Sequence, residues 1–266
     1  MAETISTQRD ARRPGDGALA WLANSWRILH ISAALLALAL SPRSYRRAHR
    51  DTIAYLLVTA CAPNLLWSFL LSALISLVII RIVVVTAVSY GLSQYALEML
   101  IRVLVLELIP LAAVLLVALR VAVPPAAQIA ALRRDGSHGP QSLDPEVLRR
   151  NALPLALATM FAVLLLAIVN CVIAAVLSYL SVHGFTLGAL ASFTRTFGRV
   201  FDPTVSLLFA VKTLLFSLAV GLLPVASVLV DRSPHRPRAS VQLQAMVRLL
   251  YVVLLIEGVS LVGNYA

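Results

Sequence analysis

Six ionisable side chains stand inside otherwise apolar stretches of this 266-residue chain: Arg81, Glu98, Arg102, Glu107, Lys212 and Glu257. Charged groups are costly in an apolar surrounding, so these are the first candidates for function. Two uses compete for them. They can neutralise one another between packed helices, with the long side chains snorkelling to the ends. Alternatively, they can line a polar cavity that meets an anionic headgroup. Glu98 and Arg102 stand four apart on one helical face, the spacing of an ion pair, and read as structural. Arg81 and Lys212 have no partner in their own segments, and both uses stay open for them. Lys212 is the single lysine among 22 basic residues.

Other chemistry lacks carriers. No G-x-x-x-x-G-K-[ST] occurs, so a P-loop ATPase is excluded, and neither G-x-S-x-G nor H-E-x-x-H is present. His30, His49, His138, His183 and His235 are scattered without ligand spacing. Cys61 and Cys171 lie in apolar segments and read as small buried hydrophobes. The chain reads as a non-enzyme without metal or cofactor.

Those side chains need helices to position them. With 60% hydrophobic and 13% charged residues and a mean hydropathy of +0.90, the composition is that of an all-α integral membrane protein rather than a soluble domain. A span takes about 20 apolar residues, which leaves room for five or six helices and no sizeable extramembrane domain. Residues 1–17 read as a cytoplasmic tail and 18–266 as one domain. Segment 18–40, which holds Trp21, Asn24, Trp26, Arg27 and His30, fits an interfacial helix better than a full span or a signal peptide ending at Ala37-Leu38-Ala39. The apolar run from Ile53 to Tyr90 would reach about 57 Å as a helix. It must therefore bend, re-enter or protrude, with Pro63 as the breaking point. Four more spans are expected over about Gln94–Val121, Leu153–Val182, Thr204–Val230 and Val241–Val262. Residues 122–152 form the longest polar connection. Arginine is concentrated before Ile53, at Arg133, Arg134, Arg149 and Arg150, and at Arg232, Arg236 and Arg238. Only Arg195 and Arg199 fall in the connections on the other side. The positive-inside rule then predicts the N-terminus inside and the C-terminus outside. The formal charge of +10 suits anionic headgroups better than nucleic acid.

From Glu107 onward the pattern resembles the MlaE/YrbE family, the permeases of lipid ABC transporters that work with MCE proteins. The family's R-E-L-G-P turn corresponds to Leu106-Glu107-Leu108-Ile109-Pro110. Its coupling segment A-E-I-x-x-x-R corresponds to Ala127-Gln128-Ile129 and Arg133. Asp144-Pro145, Arg149, Arg150 and Pro154 match the opening of the third span. Lys212 with Phe216, the terminal acid Glu257, and Pro42-Arg43-Ser44-Tyr45-Arg46 complete the ordered set. The resemblance covers roughly residues 20–266. It implies an N-terminal interfacial helix with five spans in a bacterial inner membrane. The partners it implies are a second permease protomer (homo- or heterodimer), a cytoplasmic ABC ATPase that holds ATP and Mg, and a periplasmic MCE protein. The cargo would be phospholipid-like lipids moving between inner and outer membranes.

On this reading Arg81, Glu98, Arg102, Glu107, Lys212 and Glu257 are substrate-cavity candidates. Pro124, Pro125, Gln128, Ile129 and Arg133 are candidates for ATPase contact. The chain departs from the pattern where glycine is Ile109, where the coupling acid is Gln128, and where Ala239-Ser240-Val241-Gln242 replace a Gly-rich entry to the last span. Gly136, Gly139 and Pro140 are poor helix formers in the coupling region. These departures suit a divergent half of a heterodimer, or a non-transporting scaffold for an envelope complex. An intramembrane lipid-modifying enzyme is a weaker rival, since clustered acids or histidines are missing.

Overall fold

The computed structural model describes residues 14–41, 47–91, 93–123, 152–230 and 238–265. Pro42–Arg46 and the whole coupling segment, with Pro124, Pro125, Gln128, Ile129 and Arg133, lie outside the described residues. The described chain is helical. Helix α1 spans Pro14–Leu40 and α2 spans Arg47–Ser89. Next, α3 (Ser93–Leu100) runs into a π-helical stretch, Ile101–Leu108, and on into α4 (Ile109–Val117) and a second π-helical stretch, Ala118–Ala122. Then come α5 (Leu153–His183), the short α6 (Leu190–Val200), α7 (Pro203–Val230) and α8 (Arg238–Tyr265). Gly91 and Gly184 adopt φ of +68° and +65° where α2 and α5 stop, a conformation that L side chains rarely take.

Five stretches are long and apolar enough to cross a membrane: Ala54–Ser89, Glu98–Ala122, Leu153–His183, Pro203–Val230 and Gln242–Gly263. Asn24–Leu40 is a shorter apolar helix. This is the expected plan of one short helix and five spans. The expectation of a break at Pro63 is not met, because α2 continues through the proline as one helix of 43 residues. A proline inside a helix costs about 3 kcal/mol. Packing along α5 offsets that cost, since α2 and α5 form the most extensive helix pair in the molecule. The run from Ile53 to Tyr90 therefore does not re-enter.

Small and polar residues make the α2–α5 contact close. Asn64, Ser68, Ser72 and Ser76 are buried at four-residue intervals on α2, as are Ala162, Leu166, Asn170, Ala174 and Ser178 on α5. Small residues let helix backbones approach where lipid supplies no hydrophobic drive. Ser68 and Asn170 exchange hydrogen bonds at 2.9 and 3.2 Å and fix the register at an offset of 102 residues. Cys61 packs in a cluster with Ala158 and Ala162, while Ile80 packs with Ala174 and Val182. The two helices therefore run in the same direction. By that register Arg81 stands level with His183, the last residue of α5. The two further turns of α2, about 12 Å, extend beyond it.

Helix α7 is the centre, buried against α5, α8, α4 and α1. Its second half, with Leu222, Val225 and Leu229, meets Leu35 of α1 and Leu155 of α5, so α1 packs at the end where α5 begins. The opposite end is closed by a ladder of rings. Tyr179 and Phe193 meet edge-on at 5.2 Å, Phe197 stacks on Phe201 at 4.5 Å, and Phe201 reaches Phe209 at 6.3 Å. These contacts tie α5, α6 and α7 together.

At Gly221 of α7 a Cβ would lie 2.9 Å from the Ala156 carbonyl oxygen and would overlap Met160 Cγ. Gly221→Val should therefore lower stability by about 1–3 kcal/mol through overpacking. Gly258 faces open space, so Gly258→Ala should be neutral or mildly stabilising. Thermal unfolding in detergent checks both, and equal midpoints would contradict the close α5–α7 approach.

Candidate functional site

Three helices converge on Lys212. Its side chain leaves α7 in the middle of the bundle and is 3% exposed, in a setting where an unpaired ammonium would be prohibitive. An ammonium has three N–H donors, and each finds an acceptor. One goes to the carboxylate of Glu107 in the first π-helical stretch. One goes to the backbone carbonyl of Leu106 at 3.2 Å. The third goes to Glu257 on α8, whose two oxygens each lie 3.0 Å from Nζ. Phe216, one turn along α7, holds its ring 5.8 Å from the ammonium, within cation–π range.

The local backbone explains why Leu106 is available. Pro110 sits in the first turn of α4. It has no N–H to give to the carbonyl four residues back, which is that of Leu106. The preceding stretch is wound with five-residue spacing, Ile109 N–H bonding to Leu104 O. Such π-helical segments are rare and concentrate at functional positions. Beside it, Cys171 of α5 points its thiol at the Val105 carbonyl at 3.9 Å, a weak contact. Side chains from α7 and α5 thus take up backbone acceptors where the second span departs from α-helical geometry.

The six sequence candidates separate into two groups. Glu107, Lys212 and Glu257 come together, two carboxyl groups around one ammonium. Glu98 and Arg102 form the expected i,i+4 pair at 3.5 Å, with both side chains partly exposed, away from that cluster. Arg81 is exposed on α2 and does not join it. Lys212, without a partner in its own segment, is joined to Glu107 and Glu257 in a three-helix tie. Sequence reading missed the Leu106 carbonyl, although Pro110 was the available signal. It also missed Asn170 with Ser68, which no ionisable group marks. A further cation, Arg120 in the second π-helical stretch, lies over the Trp67 ring at 4.9 Å and joins that stretch to α2. Among the described residues no group of three or more His, Cys, Asp and Glu is placed to hold a metal.

Lys212→Met would strand two carboxyl groups inside the bundle and should cost about 3–5 kcal/mol. Removing all charge with Glu107→Gln, Lys212→Met and Glu257→Gln together should cost less than Lys212→Met alone, because no buried charge is left unpaired. Denaturation in detergent distinguishes the cases. A triple variant less stable than Lys212→Met would contradict the tie.

The comparison with protein families agrees with this architecture: the family model described as Permease MlaE matches residues 54–262. That match takes in four spans whole, all but the last residue of the fifth, and all six ionisable candidates. A search of curated proteins gives no match. A family match over most of the chain, on a bundle of five spans with an N-terminal helix, places it among transport subunits and not catalytic enzymes: this chain belongs to the MlaE permease family.

Proposed function

We propose that this chain is the membrane permease of an ATP-driven transporter that moves phospholipid-like lipids between the inner and outer membranes of a bacterium. It would sit in the inner membrane with its N-terminus in the cytoplasm. A cytoplasmic ABC ATPase would bind ATP and Mg, and a periplasmic MCE protein would exchange lipid with the permease. The family match carries this reading, since an MlaE permease is an ABC transporter subunit. The chemistry of the bundle supports it. The chain has no nucleotide-binding loop of its own, so the energy must come from a partner. Its only buried charge cluster among the described residues lies between helices, where a change in helix packing would alter it.

The exposed apolar faces of α2 and α8 suit this role. Leu66, Phe69, Leu70 and Leu74 on α2, and Leu254, Leu255 and Val259 on α8, are all exposed. Such faces contact lipid or a second protomer, and the working unit would be a dimer. Glu107, Lys212 and Glu257 would supply polarity near the lipid path, with Glu98, Arg102 and Arg81 nearer its mouth. Pro124 to Arg133 would carry the ATPase contact. There Gln128 stands where the family pattern has an acid, and a neutral amide gives a weaker contact than a carboxylate. That substitution favours one second reading, a non-transporting scaffold for an MCE complex.

Gentle purification of the tagged chain from its host, with subunits counted by mass spectrometry, separates these readings. An ATPase together with an MCE protein supports the transporter, and the copy number of this chain distinguishes homodimer from heterodimer. An MCE protein without an ATPase supports the scaffold. In the purified complex, Gln128→Glu should raise ATPase activity several-fold, as expected for about 1 kcal/mol of added charge-assisted contact. No change would mean that this segment is not the contact.

A further inference from the structure

Basic residues are unevenly distributed over the two ends of the bundle, and the smaller group is the informative one. Most arginines fall in segments that adjoin the α1 end, as topology requires. The opposite end is built by Ile80 and Val83 of α2, Leu100 to Leu106, Ala174 and Val182 of α5, and Phe193, Phe197 and Val200 of α6. Among the described residues near it, Arg81, Arg102, Arg195 and Arg199 stand against Glu98 and Asp202. Four cations on two anions leave a net +2 on the side where topology disfavours arginine. Glu98 is already taken by Arg102. Arg81, Arg195 and Arg199 have no carboxylate within ion-pair distance among the described residues.

The placement of these arginines is built rather than incidental. Helix α6 presents Phe193, Phe197 and Val200 to the core and leaves Arg195 and Arg199, four apart, on its exposed face. Its hydroxyls are used internally: Ser192, Thr194 and Thr196 donate to carbonyls of their own helix or the turn before it. The arginines are therefore the outward donors of that face. Helix α3 packs on both α2 and α6, so Arg81, Arg102 and the α6 pair follow one rim. Phe185 and Leu190 are exposed between α5 and α6, as are Tyr90 and Tyr95 where α2 passes to α3. Aromatic and aliphatic side chains exposed at the ends of spans mark the membrane–water interface. Guanidinium groups held at that level meet phosphodiester oxygens, which they bind in bidentate fashion.

We infer that Arg81, Arg195 and Arg199 form a collar that binds phospholipid headgroups, net-anionic ones preferentially, at the end of the bundle opposite α1. As a station on a transport route the collar rests on the permease reading above, yet binding by the isolated chain does not require an ATPase.

The test is native mass spectrometry of the detergent-purified full chain, mixed with equal phosphatidylglycerol and phosphatidylcholine. The unaltered chain should retain more phosphatidylglycerol. Arg195→Gln with Arg199→Gln should reduce that preference by about fivefold or more, and added salt should erode it. Arg27→Gln, at the α1 end, should leave the preference in place. Arg195→Lys with Arg199→Lys, which keeps the charge, should largely retain it and so exclude misfolding as the cause. Equal retention of both lipids by the unaltered chain overturns the collar. So does a preference unchanged by the glutamine pair, or one lost equally with Arg27→Gln. If the collar binds as predicted but the purified complex moves no lipid, the transport reading fails and the collar stands.

Discussion

An ammonium buried among apolar helices must have its charge and its three hydrogens met, and Lys212 satisfies that demand through three partners on two other spans. It takes a carboxylate and a backbone carbonyl from the second span and a carboxylate from the last. Because a charge left unpaired there costs several kcal/mol, the last span and the π-helical stretch are held to α7 by more than apolar contact. Dispersion alone discriminates poorly between helix registers in lipid. A directional charge contact fixes both which helices meet and at what height. The same arrangement explains the proline at position 110, since a backbone acceptor without its helical donor is tolerable only where another donor reaches it.

A second constraint sets the outer frame. Helices α2 and α5 run side by side in one direction, brought close by small residues and registered by Ser68 with Asn170. Their serines add further buried hydroxyls on the same seam, with Ser76 and Ser178 level at the offset of 102 residues. The pair accounts for the length of α2. One helix is matched to α5 up to Arg81, and the remainder extends beyond the bundle to pack on α3.

Much of this was legible in the sequence because long apolar runs have few alternatives in a bilayer. The five spans, the shorter first helix and the Glu98–Arg102 pair follow from hydropathy and helical spacing. What was hidden depends on tertiary contact. Lys212 finds its partners 105 and 45 residues away, and helical spacing within one segment says nothing about such distances. Pro110 was visible in the sequence, but the side chains of α5 and α7 that reach the Val105 and Leu106 carbonyls were not. Pro63 was misjudged for the complementary reason. A proline's local cost is plain in the sequence, while the packing along α5 that outweighs it is not. The arginines of α6 were visible as residues, but their shared rim with Arg81 required the register of α2 on α5.

A permease bundle tied through Lys212 would move lipid only with energy supplied from outside the chain. The most direct test is transfer of a fluorescent phospholipid by the complex purified with its native partners and reconstituted into vesicles, with and without ATP. ATP-dependent transfer by the unaltered complex is expected, with its loss when Lys212→Met is introduced into a complex that still assembles. Transfer independent of ATP, or undiminished by that substitution, would contradict it.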